Sequence, residues 1–275
     1  MGILKSHRLT LREKGLKRIE LIKKNGSETL LIHYSCESFL NSNGRTPRIV
    51  SISVMDLETS QTNTYSIHLQ AQFSKYDFNN LTESEFDECE KKMLSEYYSF
   101  LDKNKTKYFV HWSMNNSNFG FKAIDNRYRI LGGYVNEIEN KFKINLGETL
   151  CLIYSDFYSK DGNGGKLHNL SILNNFKPRE FLKGSEEAEC FEKKEWLKLH
   201  YSTLSKVKLF KLIVDKTANN ELKVNSIKKE IYGLSLSSFN EIINNNILLK
   251  IIWWFILVII GIMIKELYIG LKNVW

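Results

Sequence analysis

Apolar residues recur along this chain with two spacings, and each spacing predicts a different kind of element. Ile19 and Leu21 stand two apart just ahead of Asn25-Gly26, the dipeptide of a tight hairpin, so a short edge strand is expected there. Leu30-Leu31-Ile32 opens a buried-strand run that ends on the polar patch Ser35-Cys36-Glu37-Ser38. Beyond a Gly/Pro-containing loop, Asn41 to Pro47, come two β-rich segments, Arg48 to Met55 and Asn63 to His68, joined by the polar stretch Asp56 to Thr62. Together these predict a three-stranded meander.

The spacing then becomes helical. Thr82 to Glu85 has the form of a capping box, and Phe86, Cys89, Met93, Tyr97, Phe100 and Leu101 follow on one helical face. Tyr108-Phe109-Val110 is a short buried strand. Helices are expected over Leu146 to Phe157, over Lys166 to Phe176 behind the loop Lys160 to Gly165, and over Trp196 to Ile213. In Asp125 to Gly133, Arg127 and Arg129 suit either a phosphate or a solvated helix end. His168 is expected on a helix surface.

From Ile251 to Ile264 no charge interrupts the apolar run. That stretch is roughly 21 Å of helix, and apolar flanks from Ile247 and out to Leu271 extend it toward the ~30 Å of a bilayer core. Trp253 and Trp254 near one end and Gly261 in the second half make it a candidate span able to pack against copies of itself.

Composition narrows the picture only modestly. Hydrophobic residues make up 43%, which suits a folded chain rather than a disordered one, and a net charge of +8 favours an anionic partner, nucleic acid or lipid, without choosing between them. Cys36, Cys89, Cys151 and Cys190 form no Cys-x-x-Cys pair, so zinc is unsupported and reduced thiols are expected. Lys5, Arg8, Arg12 and Lys14 leave no apolar signal-peptide core, which points to a cytoplasmic N-terminal domain.

The strand, polar patch and meander resemble the opening of the ribonuclease-H-like 3'-to-5' exonucleases of the DEDDh family. In that family the first strand ends in Asp-x-Glu-Thr, which falls here on Ser35-Cys36-Glu37-Ser38. The second motif, Val-x-His-Asn followed by an Asp, falls on His111, Trp112 and Asn116. The third, a His and an Asp five residues on, falls on His200 and Ser205, with Lys206 alongside. The resemblance implies an α/β fold, a mixed sheet flanked by helices, plus one C-terminal transmembrane helix. Glu37 and His200 are kept, whereas Ser35, Asn116 and Ser205 replace aspartates that would hold two metal ions. Asp56-Leu57-Glu58-Thr59 matches the first motif literally and stays open as an alternative, although it lies where a hairpin needs turn residues.

The organisation expected is a basic flank and edge strand over 1–28, the exonuclease-like domain over 29–213, a linker over 214–246 and the membrane helix over 247–271. The implied protein is a catalytically degenerate, membrane-anchored module that needs no cofactor. It binds a nucleic acid or nucleotide through Glu37, Ser38, His111, Trp112, Asn116, His200 and Lys206. Its architecture resembles the sensor-plus-membrane effectors of bacterial antiviral defence, which implies a homo-oligomer in the cell membrane and leaves room for a second protein of such a system. Two alternatives are an active Mg- or Mn-dependent exonuclease and a membrane scaffold for a protein partner.

Overall fold

A computed structural model gives the architecture and describes residues 6–38, 46–115, 119–244 and 247–272, the side chains of 236–238 and 270–272 excepted. In chain order the elements are α1 (His7–Lys24), β1 (Thr29–Cys36), β2 (Ile49–Asp56), β3 (Thr62–Ser66), α2 (Ile67–Phe73), α3 (Glu83–Asn104), β4 (Tyr108–His111) and α4 (Phe121–Ile130). There follow β5 (Lys143–Asn145), α5 (Leu146–Tyr154), α6 (Gly165–Leu173), α7 (Gly184–Glu192), α8 (Trp196–Ala218), α9 (Lys228–Tyr232), α10 (Leu236–Asn244) and α11 (Ile247–Lys272).

The five strands form one mixed sheet in the order β3-β2-β1-β4-β5. The meander is antiparallel, pairing Leu30 with Asp56 and Ile52 with Tyr65, whereas β1, β4 and β5 run parallel. Central β1 is buried on both faces. Leu30, Ile32 and Tyr34 join the main core with Phe86, Met93 and Tyr97 of α3. The alternate residues meet α8, where His33 packs edge-on to Phe210 at 5.8 Å and the Thr203 hydroxyl donates to Ser35 Oγ at 3.3 Å. The capping box of α3 is present, with Thr82 accepting from the Glu85 amide and Glu85 accepting from that of Thr82. A cap of this kind stabilises a helix by about 1 kcal/mol.

The edge strand expected near Ile19 is instead the long helix α1. Gly15, Ile19 and Ile22 are buried at helical spacing while Leu21 is exposed. Gly15 lets the helix backbone approach Ile153 so closely that a Cβ there would lie 2.6 Å from Cγ1. Asn25 closes the helix through its side-chain amide on the Leu21 carbonyl rather than turning a hairpin. The second β-rich segment also stops early, because α2 begins at Ile67 and His68 is helical.

Two compact units result, Lys14–Ser226 and, separately, Met1–Glu13 with Ile227–Trp275. The first extends past the expected limits 29–213, and helices α9 and α10 occupy the expected linker. In the second, Arg8 Nε donates to the carbonyls of Glu230 and Ile231, and the Arg12 guanidinium lies 5.0 Å from the centre of the Tyr232 ring. Its helix α11 is long and apolar enough over Ile247–Ile269 to cross a membrane. From Ile251 to Ile269 every side chain but Trp253 is exposed, and Trp253 meets Phe239 edge-on at 5.5 Å. Removing the chain from Ile247 onward is expected to shift the protein from the membrane pellet to the soluble fraction, as read by alkaline carbonate extraction.

Arg127 is neither a phosphate partner nor a solvated helix end. It is buried against the fully buried Glu90, with Nε and Nη2 both on the carboxylate at 2.7–2.9 Å, and it reaches Asp87 at 2.7 Å. Glu90 also accepts the Ile49 amide at 2.7 Å, which ties α3 and α4 to the sheet. Arg129 pairs with Glu137 on the surface.

Candidate functional site

A cavity of about 560 Å³ opens within Lys14–Ser226 at the carboxyl end of β1. Strand alternation places His33 and Ser35 on one face of β1, and both line the cavity with Glu37 and Ser38, which follow the end of the strand. Trp112 enters from the end of β4, and Lys206 from α8. The remaining walls are the starts of α6 and α7.

Each of these side chains is held by specific partners. The Arg48 amide donates to Glu37 Oε2 at 3.3 Å, while the Glu37 amide donates back to the Arg48 carbonyl, so the carboxylate closes the β1–β2 end. Trp112 stacks on Phe210 at 6.2 Å. Lys206 is buried and pairs with Glu187 at 2.6 Å, and Glu187 also accepts the Ser202 hydroxyl at 2.8 Å. Lys206 lies well inside α8, whose amides there are used by the helix itself, so no helix-start amides stand beside it.

Of the residues expected to converge, Ser35, Glu37, Ser38, Trp112 and Lys206 meet at this cavity, and His111, His200 and Ser205 do not line it. Asn116 lies outside the described residues. His111 is buried beside Phe121 and accepts the Met114 amide on Nδ1 at 3.1 Å, and burial, with Lys143 nearby, pushes its pKa down to about 3. His200 turns toward β2, where Nδ1 bonds the Ser51 hydroxyl at 3.0 Å, and its ring centre is 4.9 Å from that of His68. Burial, aided by His68, pushes it down to about 4. Ser205 is buried away from the cavity. The reason is rotational: Thr203, Lys206 and Phe210 share the face of α8 that meets β1, and His200 and Ser205 fall on others.

The alternative motif is excluded from this site by position. Asp56 pairs with Leu30 at the opposite end of β1, and its Oδ1 accepts the amides of Glu58 and Thr59 and the Thr59 hydroxyl, as a turn residue does.

A pair of divalent ions fits this donor set poorly. Glu37 and Glu187 are the carboxylates lining the cavity, and Glu187 already neutralises Lys206. Among the described residues no three His, Cys, Asp or Glu side chains are grouped to hold a metal ion.

Residue-type reasoning passed over His33, Glu187 and the wall at α6. Strand period alone puts His33 on the face of Ser35, and Gly162 to Gly165 ahead of a helix marks open backbone amides. Nothing local to Glu187 signals its pairing with Lys206. The chain matches no family model and no curated protein.

Proposed function

We propose that the unit Lys14–Ser226 is a ribonuclease-H-like, exonuclease-related module that binds a nucleic-acid end or nucleotide without cleaving it. The observation carrying this reading is that Ser35 and Glu37, Trp112 and Lys206, drawn from the regions of all three motifs, meet at one cavity at the carboxyl end of β1. The antiparallel meander, the α3 helix and the parallel strand β4 follow one another as the resemblance requires. With serine where the first-motif aspartate would stand and Lys206 occupying the cavity, neither the attacking nor the leaving oxygen of a phosphodiester gains the two-metal clamp.

On this reading α11 spans the cell membrane, with the binding unit on the cytoplasmic side. Several copies associate through their membrane helices, and the ligand controls that association, as in a defence effector. A Cβ on Gly261 meets nothing within 4 Å inside one chain, so the close approach that a glycine allows is left for another helix.

The test combines binding and turnover. Purified protein with Mg or Mn is expected to retain labelled single-stranded DNA, RNA or nucleotide and to leave every strand at full length; metal-dependent shortening would establish the active exonuclease instead. In cells, Gly261→Leu is expected to abolish the dye entry caused by expression. A chimera carrying an unrelated span in place of 247–275 that kept full dye entry would reduce α11 to a tether.

A further inference from the structure

One wall of the β1 cavity is built as an anion seat by backbone rather than by the motif residues. Helix α6 starts at Gly165 behind Gly164, which provides no side-chain cap, and no carboxylate occupies its first turn. Gly164 and Gly165 both adopt left-handed φ, +96° and +74°, and a Cβ on Gly165 would meet nothing within 4 Å. Gly165 therefore serves the turn and leaves its backbone open to approach, whereas a Cβ on Gly164 would lie 2.5 Å from His168 Nδ1, so the His168 ring covers that side of Gly164. The Gly165 amide is taken by the Gly162 carbonyl at 2.9 Å, and the first-turn amides after it, which no side chain caps, attract an anion. The start of α7 differs, because Glu186 caps the Lys183 amide at 2.7 Å and Glu187 pairs with Lys206.

An independent sign of a ligand is His33. It is 6% exposed and lines the cavity, yet neither ring nitrogen has a hydrogen-bond partner. Burial, then the nearby Lys206 charge, holds its pKa well below the usual histidine range, so the ring is neutral and offers one N–H and one lone pair. A buried polar group left in this state is unfavourable, and an occupant that bonds it relieves the cost. Trp112, Phe119 and Phe181 add aromatic faces to the same cavity. Lys166 is held by Asp156 at 2.5 Å, whereas Lys183 has no carboxylate partner among the described residues and can meet an incoming charge.

We propose that the cavity binds a small phosphorylated molecule with a planar hydrogen-bonding ring, a free nucleotide by chemical class. The phosphate lies on the α6 amides and Lys183, and a polar group of the sugar or base lies on His33. The inference rests on the function proposed above and narrows its ligand from a nucleic-acid end or nucleotide to a free nucleotide. The cavity, at about 560 Å³, has the volume of a small-molecule site.

Calorimetric titration of the full-length protein in detergent tests this, using the ribonucleoside 5'-mono- and triphosphates, unphosphorylated nucleosides, inorganic phosphate and a single-stranded oligothymidylate. At least one nucleotide is expected to saturate one site, with its nucleoside and inorganic phosphate about tenfold or more weaker. His33→Leu should weaken that nucleotide about tenfold while raising the melting temperature of the ligand-free protein, because the orphaned nitrogens are gone. A purely structural His33 gives the opposite temperature shift and overturns its assignment. Lys183→Glu should weaken binding by a similar factor and leave melting unchanged. Nucleotide binding indifferent to both variants would overturn the site. Oligothymidylate binding with no free nucleotide bound would overturn this inference and leave the strand-end reading standing, and binding of neither overturns both.

Discussion

Replacing Glu90 by Leu is expected to destabilise the unit Lys14–Ser226 by about 3–5 kcal/mol, the cost of stranding a buried charge. The change leaves the buried Arg127 guanidinium with the exposed Asp87 but without the buried carboxylate that meets it through Nε and Nη2, and it leaves the Ile49 amide without its acceptor. Burial raises the Glu90 carboxyl, opposed by its bonds to Arg127 and the Ile49 amide, so the pair's attraction works against a large desolvation cost. The double variant Glu90→Met/Arg127→Met removes both charges and should recover part of the loss, with the Ile49 amide still unpaired. Urea denaturation of the three proteins measures this. A double variant as unstable as the single would place the loss in the amide and the packing, not in the stranded charge.

Acid should destabilise this unit through its buried histidines. Burial holds His111 down to about 3 and His200 down to about 4, and His33 well below its usual range. In the unfolded chain each titrates near 6.5. Below that pH the unfolded state binds protons that the folded state refuses, so stability rises with pH across the window from about 4 to 6.5 and is lost as pH falls through it. His111 and His200 each contribute a loss of roughly 2 kcal/mol between pH 7 and pH 5, and His33 adds to it in the same direction. The slope of unfolding free energy against pH near 5.5 should correspond to at least two protons taken up on unfolding, and His200→Gln should reduce it by about one. A slope of less than one proton would mean that these rings are charged in the folded protein.

Sequence by itself determined the elements whose cause is local. Alternation and turn residues marked β1 to β3, the Thr82–Glu85 box and the 3.6-residue spacing after it marked α3, and the uncharged run from Ile251 marked α11, because each signal lies within a few turns or residues of chain. It also placed Ser35 and Glu37 at the end of the first strand. Tertiary structure decided the rest. Ile19 and Leu21 alternate over too short a window to distinguish strand from helix, and it is Gly15 against Ile153 on α5 that settles α1. Arg127 is a core residue because Glu90 faces it across helices, at a sequence separation of 37 that no local pattern encodes. A helical repeat shows which residues of α8 share a face but not which face meets β1. That phase is set by packing, and so Thr203 and Lys206 stand beside Ser35 and the cavity while His200 turns away to Ser51.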